Sequence, residues 1–546
     1  MMPSSEVLNS KTINQLTKTI MNKQLWKMYK QSPDGKACID LFNPEVENIS
    51  DGAFAIWKYS SKWGADPVEG NFREEIDRFL WLWGTNLSQR GLIPDKWDRE
   101  SFRIFVKEYD ILRPKCDNKG EIEYTNDNQV VLEEGSYVLK KEQYREKAAS
   151  ISFFSLLLYY SFEFFKPILL PKRFDVIQRN CSALGISLPT IPRSNDYKEY
   201  LDYYFDLCES LNTFQQENEL TDAELCACIY DFANLLIEES KDTTLPKPTN
   251  VWLTGAGVGD FAFLDSLGIA PQGNKRAIWA CNERTRRGDI VVVYCTSPRS
   301  YIHSIWRSDS GGFFNPFDYY HCRTTVRDGI KVPPLSFKDL KEDSHMSQIP
   351  IVRRNLQGIN GIELTSENYA ALLRMIRKKG GDSTQLPQLF EGVNVDFGEI
   401  KLEKDVEENI LIPTLKKLGY SDSDWTRQLL LKAGRKEKAI PDFVFFPRGK
   451  EHFETAPMII EAKLDMAPVQ ELQKAFEQGW SYAKLLRSTF MGICDKERLV
   501  LYKADSNGFF DRNNPIFENH WAAIFADSNI GAQLAKLIGR EVIKGI

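Results

Sequence analysis

Two short apolar runs near the C-terminal end restrict the possible folds most: Ala439-Ile-Pro-Asp-Phe-Val-Phe-Phe446 and Met458-Ile-Ile-Glu-Ala-Lys463. Both are strand-like, and each is long enough to cross a buried sheet. Both also carry charge. A carboxylate or ammonium in such a place is expensive unless it is paired or bound to a metal. Alternation along a strand puts Glu461 and Lys463 on one face. With Asp442 on a neighbouring strand, two carboxylates and a lysine come together. Such a set suits a hard divalent cation, Mg²⁺ or Mn²⁺ in its place, held by Asp442 and Glu461. The cation lowers the pKa of a bound water and neutralises charge on a phosphate, and the lysine orients the water.

Pro441-Asp442, eighteen intervening residues and Glu461-Ala-Lys463 resemble the signature of the PD-(D/E)xK nuclease superfamily. Upstream, the stretch from Glu403 to Tyr420 resembles the opening helix of the nuclease domain in type I restriction motor subunits. That likeness implies a helix glutamate completing the metal site, with Glu403 in that place and Glu407 in reserve. Downstream, Gln478-Gly-Trp-Ser-Tyr482 puts Gln478 and Tyr482 on one helical face. This resembles the QxxxY element of the RecB-like branch and implies a pair that orients substrate and Lys463. A strand pair, Phe490–Cys494 and Arg498–Tyr502, is expected to follow. A lone D…ExK is often a surface salt bridge. The ordered set favours the nuclease, and a relative that only binds is the bland alternative.

Residues 250–379 change character, with short β-rich runs at 290–294, 301–306 and 321–326 and a closing helix at 366–376. Within an acidic chain of net charge −6, residues 271–379 hold 18 Lys and Arg against 10 Asp and Glu. A local positive excess favours a polyanion partner, although a solvated basic face would look the same. Trp252-Leu-Thr-Gly, Ile278-Trp279, Arg287-Gly-Asp-Ile-Val-Val-Val-Tyr294, Phe314-Asn-Pro-Phe317 and the run 351–361 resemble the EVE domain, a PUA-like fold related to YTH readers. The resemblance implies a pocket for a modified base, with Trp279 and Trp306 as walls and Trp252 and Asn355 nearby. A packed core is the competing role for each tryptophan.

Residues 1–245 read as mainly helical, with apolar residues at helical spacing in 75–83, 200–208 and 225–236. The run 151–160 reads as a buried helix, too short for a membrane span. Linkers are expected at 241–249 and 380–384. No apolar segment follows the N-terminal MMPSSEVLNSKTINQ, and the ten cysteines form no C-x-x-C pair, so a cytoplasmic protein with reduced thiols is expected. No G-x-x-x-x-G-K-[ST] loop is present, so no nucleoside triphosphate partner is expected.

The expected architecture is multidomain: a mainly α domain at 1–245 that could serve oligomerisation, an α+β PUA-like EVE β-barrel at 250–379, and an α/β restriction-endonuclease-like domain at 395–546. The combined expectation is a modification-dependent, type IV-like restriction endonuclease acting in phage defence. It would read a modified base in double-stranded foreign DNA, cut with Mg²⁺, and work as a homodimer. A nuclease reading a modified ribonucleotide in RNA or tRNA, and a non-catalytic binding module, stay open.

Overall fold

The computed structural model describes residues 23–60, 80, 89, 91–112, 141–192, 197–237, 244–271, 276–317, 322–390, 397–432, 438–506, 508–512 and 514–546. The chain divides into two compact units. One joins Lys18–Leu236 with Asn315–His321, and the other joins Ile237–Phe314 with Cys322–Ile546.

The first unit is helical. Its described helices include Lys141–Ser161, Phe174–Ala183, Tyr197–Glu217 and Asp222–Ala227, the last continuing through a π-turn to Leu236. The spacing at 200–208 and 225–236 therefore does form helix, and residues 151–160 are a mostly buried helical segment. The expected helix at 75–83 lies almost wholly outside the described residues. Aromatic rings fill the core: Phe164 stacks on Phe205 at 4.7 Å, and Phe317 packs edge-on against Phe174, Tyr200 and Tyr203. Among the described residues, no helix is long and apolar enough to cross a membrane.

The second unit holds two large sheets. The first is built from β1 (Val251–Ala256), β2 (Ala277–Ala280), β3 (Ile290–Cys295), β4 (Tyr301–Ser308), β5 (Phe313–Phe314), β6 (Cys322–Ser336) and β7 (Ile362–Leu364). Its order is β2-β6-β4-β3-β1-β7, with β5 added to β6. Only β1 and β3 run parallel; the other pairs are antiparallel. Register shifts in β3–β4 and twice in β4–β6 curl the sheet into a half-barrel. It does not close by ladder pairing. Across the gap, Thr254 Oγ1 donates to the Ala280 carbonyl at 2.8 Å. The strand expected at 321–326 is longer than its sequence suggested, because β6 continues to Ser336 and serves β2, β4 and β5 in turn.

The second sheet follows. Its six strands are β8 (Trp425–Arg427), β11 (Phe443–Phe445), β12 (Met458–Ala462), β13 (Phe490–Cys494), β14 (Arg498–Lys503) and β15 (Phe517–His520). A separate two-stranded ribbon pairs β9 (Leu431–Lys432) with β10 (Lys438–Ala439). The order β15-β14-β13-β12-β11-β8 is antiparallel except for β12 beside β13. A parallel neighbour needs a crossover, and the helix Val469–Leu485 supplies it. Alternation sorts the side chains by face. Phe443, Phe445, Met458, Ile460 and Cys494 pack with Val406, Leu411 and Leu415 of the segment Glu403–Lys417. Val444, Ile459, Met491, Ile493 and Val500 pack with Ala475, Phe476 and Tyr482 of the crossover helix. The apolar run from Ala439 to Phe446 is not one strand. Pro441 has no N–H to give a ladder, and only Phe443–Phe445 join the sheet.

Candidate active site

β11 and β12 are antiparallel, with Phe443 opposite Ile460. One step further along this register brings Asp442 level with Glu461, at the end of each strand. Two hydrogen bonds lock the pair together. The Asp442 backbone N–H donates to Glu461 Oε1 at 3.0 Å, and the Ala462 N–H donates to Asp442 Oδ2 at 3.0 Å. Each carboxylate is thus fixed by the backbone of the opposite strand, which leaves little freedom to turn away.

Glu461 has 0% exposure, and its Oε2 is buried with no hydrogen-bond partner. Lys463 Nζ approaches that oxygen to 3.6 Å, too far for a hydrogen bond but close enough for strong attraction. Burial pushes the Glu461 carboxyl well above its usual range; the Asp442 charge adds to this and the lysine opposes it. For Lys463, burial pulls the ammonium down. The charges of Glu461, Asp442 and Glu403 outweigh it, so the lysine is held above its ordinary value.

The crossover helix contributes the next pair. Gln478 Nε2 donates to the Tyr482 hydroxyl at 3.1 Å, as two residues on one helical face can. Tyr482 is buried, and its phenol is raised first by burial and then by the Glu461 charge. The helix comes close because Gly479 lies on the sheet: a Cβ there would stand 3.1 Å from Met491 Sδ.

On the opposite side stands the segment from Glu403. It is interrupted by a π-turn at Glu407–Leu411, immediately before Pro413. A proline lacks the N–H that the preceding turn needs, so a widened turn is a natural response. Glu403, at the helix start, is exposed. Glu407 is buried and ion-paired to Arg427 of β8. Its carboxyl is raised by burial and then by Asp442, while Arg427 pulls it down. Glu407, the reserve, is therefore the more deeply seated of the two. Among the described residues, no three His, Cys, Asp or Glu side chains are gathered closely enough to hold a metal ion. Asp442 and Glu461 form a pair, and the Glu403 charge adds to those that hold Lys463 above its ordinary value. Arg427 is not singled out by the sequence; its place, at the end of the short strand β8 and beside Glu407, emerges only once β8 is paired with β11.

The first sheet brings three of the four residues assigned to a base pocket onto one face. Val291 lies between Trp252 and Trp306 in register, and Trp279 joins Trp306, Val291 and Val326 in one buried cluster. Trp252 Nε1 donates to Asp289 Oδ2 at 2.9 Å and Trp306 Nε1 to Ser304 Oγ at 2.9 Å. Trp279 differs, because its Nε1 is buried without a partner. Asn355 is exposed, in left-handed backbone conformation, and accepts from Lys341 Nζ at 2.8 Å, so its contact is a lysine and not a tryptophan.

No family model matches the chain, and no curated protein matches it. Among solved structures, an NMR structure of a protein from Rhodopseudomonas palustris is similar over 24% of this chain and 94% of its own, at 14% identity and a TM-score of 0.20. A hypothetical protein from Leishmania major is similar over 24% of this chain and 97% of its own, with the same identity and TM-score. Likeness at this level has no bearing on the site.

Proposed function

We propose that this protein is a modification-dependent endonuclease of the PD-(D/E)xK type, whose hydrolytic centre is Asp442, Glu461 and Lys463. One observation supports this above the others: a wholly buried glutamate keeps an oxygen without a hydrogen-bond partner, beside a second carboxylate and a lysine. Two facing carboxylates under low dielectric favour a proton or a cation between them. Mg²⁺ binds through one or two carboxylates plus water and substrate phosphate, so this pair fits it, with Glu403 or Glu407 as outer support. When bound, the cation supplies an activated water and neutralises phosphate charge.

The side chains divide the remaining work. Lys463, held charged by its acidic neighbours, sits where it can donate to a phosphate oxygen and stabilise its growing charge. Tyr482, fixed by Gln478, feels the charges of Glu461 and Lys463 and would help keep that lysine in place. The curled first sheet would select the substrate. An indole N–H that is buried without an acceptor is the feature of Trp279 that favours a guest base, which must leave the stack to reach it. The basic excess of residues 271–379 suits a phosphate backbone.

The test is incubation of the full chain with Mg²⁺ and three substrates: a duplex DNA with one modified base, its unmodified twin, and RNA. Cutting of the modified duplex alone supports the proposal. Cutting of RNA alone replaces it with a ribonuclease, and binding without cutting replaces it with a non-catalytic reader.

A further inference from the structure

We propose that the seam between the two sheets of the second unit is an anion site for a phosphoryl group, centred on Arg286. This is independent of the hydrolytic reading, because none of its residues belongs to the Asp442–Glu461–Lys463 centre.

The argument starts from a turn. Between Cys281 and β3 the chain reads Cys281-Asn-Glu-Arg-Thr-Arg-Arg-Gly-Asp289, which looks like a solvated basic loop. It is not solvated: Arg286 is 3% exposed and Arg287 6%. The turn is held from inside by Asp289, which accepts from the Arg286 N–H at 2.8 Å and from Trp252 Nε1 at 2.9 Å. Gly288 makes the turn possible. It has a φ of 94°, and a Cβ there would meet the Pro246 carbonyl oxygen at 2.6 Å. The turn that presents the two arginines is thus held by Asp289 and by the close approach of Gly288 to Pro246.

Arg286 lines a cleft shared with the second sheet, together with Arg287, Arg512, Tyr502 and Glu518. Arg286 Nε and Nη2 are buried and have no hydrogen-bond acceptor. A buried guanidinium without a partner is among the most costly arrangements a fold can keep. The carboxylate in the cleft gives it no hydrogen bond, because Glu518 is bound to Arg498 at 2.8 Å with both side chains buried. Arg498 repels Arg286, and Asp495, Glu518 and Glu497 attract it only through their charge, without a hydrogen bond to Nε or Nη2. The unmet need is for an acceptor with several oxygens, carried by something outside this chain. Guanidinium forks match a tetrahedral oxyanion in bidentate fashion, so a phosphoryl group is the best chemical fit.

The place also matters. The Val469 N–H donates to the Glu283 carbonyl at 3.1 Å, so the crossover helix begins on the same loop that carries Arg286. Val469 and Leu472 of that helix line the cleft, and Gln478 and Tyr482 lie further along it. A phosphoryl group at the seam would bind both sheets and the root of this helix. Its source is either a free phosphate or the backbone of a bound nucleic acid, and both offer the same oxygens.

Thermal unfolding of the full chain in inorganic phosphate, against chloride at matched ionic strength, tests the site. The wild-type Tm should rise with phosphate and saturate, as ligand linkage requires. Arg286→Met should lose that response and, without phosphate, melt at or above the wild type, since an apolar chain replaces an unpaired buried charge. Arg286→Lys keeps the charge but not the fork and should bind phosphate at least tenfold more weakly. A short unmodified duplex identifies the source: lost duplex affinity in Arg286→Lys points to a backbone phosphate, and retained duplex affinity with lost phosphate binding points to a free one. A wild-type Tm indifferent to phosphate, with duplex affinity unchanged in Arg286→Lys, overturns the proposal. So does Arg286→Met melting far below the wild type in phosphate-free buffer, which would make the guanidinium a structural group.

Discussion

Lys463 Nζ stands 3.6 Å from Glu461 Oε2, the one oxygen of that buried carboxylate for which the protein provides no hydrogen bond. Glu461 lies in β12 and Lys463 one residue beyond its end, where its N–H still donates to the Cys494 carbonyl at 2.8 Å, so their encounter continues the alternation of the strand. The buried position of Glu461 follows from the apolar residues around it: Ile459 and Ile460 before, Ala462 after, and Ile493 opposite on β13.

Glu461→Gln separates stability from activity. The carboxyl is raised in the folded state, so the native protein holds a proton that the unfolded chain has released once the pH exceeds the ordinary glutamate value. Stability tied to this group is therefore full at low pH and is lost as pH rises toward the folded value. In metal-free buffer at neutral pH, the glutamine variant should melt at or above the wild type. Cleavage should fall by about 10³-fold or more. Thermal melts with and without Mg²⁺ check this, and only the wild type should gain from the metal. A variant that melts lower in metal-free buffer would mean that the charged form stabilises the fold.

Tyr482→Phe removes the hydroxyl that accepts from Gln478 and keeps the ring. One hydrogen bond of about 1 kcal/mol corresponds to a rate loss of about five- to tenfold if it acts through positioning of Lys463. The loss should be in kcat, with KM little changed. An unchanged rate would remove the pair from the centre.

How much of this was legible in the sequence depended on whether the signal was local. Asp442, Glu461 and Lys463 belong to dense apolar runs with misplaced charges, and misplaced charge can be read without a partner in view. The pair Gln478 and Tyr482 was legible from a spacing of four, which puts both on one face of a helix. Trp252 and Trp306 were harder. Both are large, apolar and in strands, and whether such a residue lines a pocket or fills a core depends on strands distant in sequence. Both have a satisfied indole N–H. The sequence does not single out Arg286, because burial by a second sheet leaves no local mark. Pro441, by contrast, is a local mark: it divides the run from 439 to 446 between β10 and β11.

The tryptophans should separate by function. Trp252→Phe deprives Asp289 of a donor and should cost about 1–3 kcal/mol of stability. Trp279→Phe removes an N–H that has no acceptor and should leave stability nearly unchanged. It should also lower the preference for a modified over an unmodified duplex. Denaturant titration and a competition cleavage assay measure the two effects, and an unaltered preference would remove Trp279 from base reading.

His303 should give the first sheet a pH-dependent stability. Its ring is buried beside Tyr301 at 6.1 Å, with neither nitrogen hydrogen-bonded. Burial, followed by the Lys331 charge, lowers it to about 4 from 6.5. The unfolded chain then binds the proton first as pH falls, so stability is full above 6.5 and is lost between 6.5 and about 4. His303→Phe should flatten that part of the profile. Equal slopes for both proteins would show that the ring is charged or partnered in solution.

The most direct test of the hydrolytic centre is the rate of Mg²⁺-dependent cleavage of a modified duplex by the wild type and by Lys463→Ala, with duplex affinity measured on the same preparations. The account predicts cutting by the wild type, a rate lower by about 10²- to 10³-fold in the variant, and affinity within about threefold of the wild type. Cleavage that survives the loss of Lys463, or a wild type that binds this duplex and never cuts it, would contradict it.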